Sequence, residues 1–308
     1  MKLTKFIAAV TVFALAAVGY GRAQAQVQAP APISAVGVET EYADVIAQVG
    51  GRYVRTSAIV SDPNTDPHEF EVSPKIARKI AGAKLIVRNG IGYDDWAAKI
   101  IAAAPDPGRL VIDVQQLRGL PDSTPNPHLW YDPKTMPAVA AAVAADLSVL
   151  LPAEQNYFAA NAQKFAASLA PWNAEIAAFK HDFPGAPVAV TEPVGDYLLA
   201  AAGVNILTPF TLQAAIMNGT DPSPQDVTTQ NELFTDHKVK VFVYNQQVTD
   251  PLTESFLALA RENHIPVVGV YETMPEPGYN YQSWMLAETL ALREAMTSQK
   301  STESLIGK

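Results

Sequence analysis

Residues 133–182 read PKTMPAVAAAVAADLSVLLPAEQNYFAANAQKFAASLAPWNAEIAAFKHD, a stretch rich in alanine and almost free of β-branched clusters. Such composition favours helix, and the break that stands out is Leu151-Pro152. Proline suits the first turn of a new helix, so the stretch predicts one helix over 153–180, about 42 Å long. A helix of that length crosses a whole domain. On either side of the stretch, short β-rich runs alternate with helical patterns. Before it, VGVET (36–40), YVRTSAIV (53–60), KLIVRN (84–89) and LVIDV (110–114) read as buried strands, with helices over 41–49, 73–82 and 93–104. After it, PVAVT (187–191), 204–207, VKVFVYN (239–245) and IPVVGVY (265–271) read as strands, with helices over 194–202, 224–237, 251–263 and 281–297. Strand–helix–strand alternation implies parallel sheets covered on both faces. The expected fold class is α/β, with two lobes of parallel sheets flanked by helices and joined by one long rigid helix. The expected divisions are 26–152 for the first lobe, 153–182 for the connector and 183–308 for the second.

Composition narrows the function classes. The chain of 308 residues carries 22 Lys+Arg against 31 Asp+Glu, a formal net charge of −9. No nucleic-acid partner is expected, because a phosphate backbone needs a basic footprint. Cysteine is absent, which removes disulfides, thiolate metal sites, thiol nucleophiles and a lipid-modified N-terminal cysteine. Residues 1–25 combine Lys2 and Lys5, an apolar run from Phe6 to Gly19, and the small-residue ending Ala23-Gln24-Ala25. This is the pattern of a cleavable signal peptide. The expectation is a periplasmic protein, not a lipoprotein.

In open parallel sheets, ligands bind beyond the carboxyl ends of strands, and in a two-lobed protein the cleft lies between lobes. Four ionisable residues follow strands in this way: His68, His128, Glu192 and Glu272. Each of the two histidines has proline directly before it and an aromatic residue two positions later. Proline fixes its own φ, so backbone aims the imidazole. Neutral imidazole is a common metal ligand. Read singly, each is an ordinary loop histidine, and each glutamate an ordinary cap or salt-bridge partner. A carboxylate at the end of a buried strand is costly unless paired or bound to a cation, so two acids and two histidines together favour a metal. His181, His237 and His264 fall at or near helix ends, where a histidine complements the dipole. Asn245, Gln247, Trp130, Tyr244 and Tyr279 are candidate cleft walls, with packing and loop hydrogen bonding the preferred reading. Asn89-Gly-Ile-Gly-Tyr93 is a strand-to-helix turn whose glycines permit positive φ, and its spacing fails the dinucleotide fingerprint.

Three segments carry a resemblance: SDPNTDPHEFEVSP (61–74), AKLIVRNGIGY (83–93) and NPHLWYDP (126–133). They resemble the metal-binding solute-binding proteins of bacterial ABC importers, the zinc/manganese ZnuA- and TroA-like group, and the likeness runs over essentially the whole chain after residue 25. It implies one divalent cation held between lobes, with slight closure about a rigid helix. The family's histidine ligands fall on His68 and His128, and its third ligand falls on Glu192. The fourth falls on Glu272, where the family usually has aspartate; the extra methylene gives the carboxylate reach for bidentate binding. The His- and Asp-rich loop of many zinc members has no counterpart, since residues 104–125 contain no histidine.

The implied function is capture of a divalent transition metal and its delivery to an ABC permease, without enzymatic activity. Two imidazoles and two carboxylates are a hard set that leans to Mn²⁺ with Fe²⁺ or Zn²⁺ as competitors, although Zn²⁺ outranks Mn²⁺ in intrinsic affinity. Affinity should fall as pH drops through the imidazole range near ~6.5. A monomer is expected, with a metallochaperone as a second partner. The alternatives are a zinc-specific receptor of the same family and a secreted metallohydrolase. Against the hydrolase stands the lack of H-E-x-x-H and G-x-S-x-G motifs. A surface adhesin of the same fold gains nothing from this sequence.

Overall fold

Eight short strands among the described residues form two parallel sheets. The structure, a computed structural model, describes residues 31–306 other than Glu276, so the expected signal peptide lies outside the described residues. The first sheet contains β1 (Ile33–Glu39), β2 (Val54–Val60), β3 (Leu85–Arg88) and β4 (Leu110–Asp113), in the order β2-β1-β3-β4. The second contains β5 (Pro187–Val190), β6 (Asn205–Ile206), β7 (Val241–Asn245) and β8 (Val267–Val270), in the order β6-β5-β7-β8. The two orders are the same. In each, strand order reverses between the first and third strands, and such a switch point opens a crevice at their carboxyl ends.

The helices are α1 (Thr40–Gly50), α2 (Pro74–Ala81), α3 (Asp95–Ala103), α4 (Val114–Leu117), α5 (Thr135–Leu150) and α6 (Gln155–Ser168). They continue with α7 (Ala170–Asp182), α8 (Asp196–Ala201), α9 (Phe210–Met217), α10 (Pro224–Thr235), α11 (Pro251–Glu262) and α12 (Tyr281–Ser298). None among the described residues is long and apolar enough to cross a membrane.

Alternation along the strands decides the layering, because successive side chains point to opposite faces. Ala35, Leu85 and Val87 face one way and pack with α1, α5, α6, α7 and α12 in a core that also takes Val188, Val190, Val241, Val243, Val268 and Val270. That core therefore runs between the two sheets. Val36, Val38 and Ile86 face outward under α2 and α3. In the second lobe, Ala189, Phe242 and Val267 face outward under α9, α10 and α11. From Pro32 onward the described chain is one compact unit.

The connector differs from expectation. In place of one helix over 153–180, Pro152–Glu154 forms a 3₁₀ turn and the remainder is two helices, α6 and α7, meeting at Leu169. Pro171 lies in the first turn of α7. It has no N–H to give, and its ring opposes the carbonyl four residues back, so the helix must end and restart there. Trp172 just beyond the joint donates its indole N–H to Thr289 Oγ1 on α12 at 3.0 Å, fixing the connector to the second lobe.

Gly37 in β1 lies against the first turn of α1, where a Cβ would sit 2.1 Å from the backbone nitrogen of Ala43. Gly37→Ala should therefore lower stability by about 1–3 kcal/mol or more, measured as a reduced urea midpoint at unchanged slope.

Candidate metal centre

Loops bring the four expected residues to the junction of the lobes, three of them leaving the carboxyl ends of strands, whereas His128, expected to follow a strand, comes on the loop after α4. β2 exits into a loop whose 3₁₀ turn, Pro67–Glu69, contains His68, and the Asp66 side chain caps that turn by accepting from His68 N–H at 2.8 Å. His128 stands directly before the 3₁₀ turn Leu129–Tyr131. Glu192 follows β5, and Glu272 lies two residues beyond β8. β5 and β7 flank the switch point of the second sheet, and Asn245 ends β7.

Among the described residues, His68, His128 and Glu272 offer ligand atoms that all lie within 4.8 Å of one another. One oxygen is their meeting point. Glu272 Oε2 is 3.1 Å from His68 Nε2, 3.1 Å from His128 Nε2, and accepts from the Tyr93 hydroxyl at 3.0 Å. Glu192 joins them through Asn245, whose Nδ2 donates to Glu192 Oε1 at 3.1 Å and to Glu272 Oε1 at 2.8 Å. Glu192 Oε2 is buried with no hydrogen-bond partner. The His68 side chain is 25% exposed whereas those of His128 and Glu272 are fully buried, so access to the cluster runs past His68.

The tautomer of His128 gives this arrangement its chemistry. Asn126 donates through Nδ2 to the Pro193 carbonyl at 2.6 Å, so its Oδ1 is the acceptor for both His128 N–H and His128 Nδ1. With the proton on Nδ1, a neutral His128 presents the lone pair of Nε2 to the Glu272 oxygen. Two acceptors facing each other at 3.1 Å require a proton or a cation between them. The bond to Pro193 also crosses from one lobe to the other beside Glu192.

Charge follows the same geometry. Burial lowers His128, with the His68 charge adding to that and the Glu272 hydrogen bond opposing it. Burial also acts to lower His68, but Glu272, then Glu192 and Asp66, outweigh it and hold this imidazole up at about 9. Glu272 is buried, which would raise it, yet the two imidazoles keep it below the ordinary carboxylate range. Glu192 is pushed well up, by burial first and by the Glu272 charge second. Behind Tyr93, Glu39 and Glu41 fill the β1–α1 junction. Burial raises both, Glu41 to about 8, so near neutral pH Glu41 adds little negative charge beside the cleft.

Several residues that the sequence left as packing belong to the site. Asn245 holds both glutamates. Gln247 accepts from Glu272 N–H and Thr273 N–H at 2.7 and 2.8 Å and donates to the Thr65 carbonyl in the His68 loop at 2.8 Å. Trp130 stands edge-on to His128 with ring centroids 5.4 Å apart, but it is fully buried in the central core and backs the imidazole as packing, not as a cleft wall. Tyr244 packs with Phe242 in the outer core of the second lobe, and Tyr279 packs against the central core. His237 and His264 take left-handed φ of 52° and 57° just past α10 and α11, so they serve as helix stops. In the sequence Asn126 stands out as the first residue of the NPHLWYDP segment, two residues before His128, and Asn245 by its place at the end of an apolar strand.

The family profile described as "Zinc-uptake complex component A periplasmic" matches residues 39–295. The manganese-binding lipoprotein MntA of Halalkalibacterium halodurans is 23% identical over 175 residues, which is 54% of this chain and 56% of MntA, so the match spans little more than half of that relative. The metal ABC transporter substrate-binding lipoprotein ScbA of Streptococcus cristatus is 22% identical over 270 residues, covering 82% of this chain and 85% of ScbA. The periplasmic zinc-binding protein TroA from Treponema pallidum superposes with a TM-score of 0.71 at 17% identity, covering 85% of this chain and 99% of TroA. At that identity the likeness speaks for the two-lobed α/β fold. The names overturn one expectation. MntA and ScbA are both lipoproteins by name, so a protein free in the periplasm does not follow. The cysteine count that carried that expectation bears on one lipid linkage only.

Glu272→Gln removes the foremost carboxylate that holds His68 up and leaves burial opposed only by the lesser pull of Glu192 and Asp66. In metal-stripped protein the His68 ring should then titrate well below 9, towards or under the ordinary ~6.5, as followed by NMR of the ring nitrogens. An unchanged titration would mean that Glu272 is not the partner that sets it.

Proposed function

From a chain that belongs to the ZnuA family of uptake-complex component A proteins, we propose that this protein captures one divalent transition-metal ion between its lobes and delivers it to the permease of an ABC importer. The observation that carries this reading is the lone pair of His128 Nε2 facing Glu272 Oε2 at 3.1 Å, with His68 Nε2 at the same distance from that oxygen. A divalent cation satisfies both facing acceptors and, once His68 gives up its proton, that imidazole as well, and Glu192 Oε2 offers a fourth donor. The ligands in this reading are His68, His128, Glu192 and Glu272. Asn126 fixes the His128 tautomer in the way that outer-shell partners orient metal-bound imidazoles.

The working units in this reading are a first lobe over 26–152, a connector over 153–182 and a second lobe over 183–308, acting as a monomer. Manganese is the favoured ion on ligand hardness, since carboxylate oxygens suit Mn²⁺ and a third imidazole would suit Zn²⁺. The chain has no H-E-x-x-H or G-x-S-x-G motif to place a base or nucleophile beside the ion, so we read the protein as a carrier.

Metal-stripped protein should take up one equivalent of Mn²⁺ or Zn²⁺ in a competitive titration. His68→Ala and Glu192→Ala should each abolish tight binding with the fold retained, while Asn126→Ala should weaken it by about 10–100-fold. Tight binding that survives both ligand changes would overturn the assignment.

Proton linkage gives a second test. With His68 held at about 9, the metal-free site carries its proton at pH 7, and the ion must displace it. Binding should therefore release at least one proton, and affinity should fall steadily as pH drops below about 9, a higher window than an unperturbed imidazole gives. Calorimetry in buffers of different ionisation enthalpy reads the proton count directly.

A further inference from the structure

Asn245 is fully buried, and every polar atom of its side chain is committed. Its Oδ1 accepts from Gln247 N–H at 3.0 Å, and its backbone N–H donates to Thr191 Oγ1, next to Glu192, at 3.0 Å. Nδ2 therefore faces the cleft, and its two hydrogens go one each to Oε1 of Glu192 and Oε1 of Glu272. The remaining oxygens are Glu272 Oε2, on which both imidazoles converge, and Glu192 Oε2, buried and unpartnered.

We infer that Asn245 sets the coordination number of the captured ion, by tying back one oxygen of each glutamate so that each carboxylate can give only one donor. This rests on the metal-capture reading above and adds a specificity determinant to it. With the amide in place the protein supplies two nitrogens and two oxygens, a four-donor set. Freed from it, either glutamate could close on the ion with both oxygens. Zn²⁺ is satisfied by four tetrahedral donors, whereas Mn²⁺ suits a six-coordinate oxygen-rich shell. The amide thus works against the hardness of the ligands, disfavouring the larger shell that those ligands would otherwise build. Gln247 supports the arrangement by holding the backbone of Glu272 and Thr273.

The test compares metal-stripped wild type with Asn245→Ala, which loses both donors, and Asn245→Ser, which keeps one. Zn²⁺ and Mn²⁺ affinities are read by competition with a chelating indicator, and Co²⁺ is added as a spectroscopic probe because its visible bands are much stronger in four-coordinate than in six-coordinate sites. The alanine variant should weaken Co²⁺ absorption and shift the Mn²⁺-to-Zn²⁺ affinity ratio towards manganese by about tenfold, with serine in between. If alanine fails to fold, the serine variant carries the comparison with a smaller shift of the same sign. An equal loss for both ions with the Co²⁺ bands unchanged would reduce Asn245 to a structural role and overturn the inference. Wild-type protein that takes up no ion would overturn the capture reading itself.

Discussion

Glu272 Oε2 is the point on which the arrangement of the site depends. It stands two residues beyond the second sheet, yet its neighbours His68, His128 and Tyr93 all come from the first lobe. A buried carboxylate in such a place needs compensation, and protonated His68 and the Tyr93 phenol provide it, while the His128 side of the oxygen waits for a cation. The same oxygen explains why His68 is held up while His128, deeper and committed to Asn126, is pushed down. Two histidines at equal distance from one carboxylate thus acquire opposite proton affinities from burial and partner geometry.

Holding that point in place is a wide contact between lobes. Met274 N–H donates to Thr40 Oγ1, the Tyr131 hydroxyl to the Tyr271 carbonyl, and the Tyr281 hydroxyl to the Trp130 carbonyl. Beneath them one apolar core runs from the first sheet to the second. Opening such a molecule by a large hinge motion would expose much of that core. Movement is more cheaply found in the His68 loop, which ties to the second lobe through the Gln247–Thr65 bond and carries the most exposed of the clustered side chains. An ion entering past His68 would meet the exposed side of the site first and the buried side, His128 and Glu272, last.

Much of this was legible in the chain itself. Near-continuous apolar runs in VKVFVYN and IPVVGVY marked buried parallel strands, and a carboxylate directly after such a run has few reasons to be there. Pro67 and Pro127 marked His68 and His128 as aimed by backbone. The connector was misread because the alanine-rich pattern outweighed Pro171, although proline in a helix interior ends it for local steric reasons. The roles of Asn126 and Asn245 are not legible in the same way, because an amide has no charge and its role depends on which way it faces.

The sequence by itself determined the local quantities: which runs become strands, where helices start, which acids and histidines stand at strand ends, and the resemblance to a family. These follow from side-chain period, backbone restriction and charge, all of which act within a few residues. Only the tertiary structure decided that three ligand atoms from chain positions 68, 128 and 272 share one small volume, and that one amide spans two glutamates. Those facts depend on distances between segments far apart in the chain, and such distances come into being only when the two sheets close on a common core.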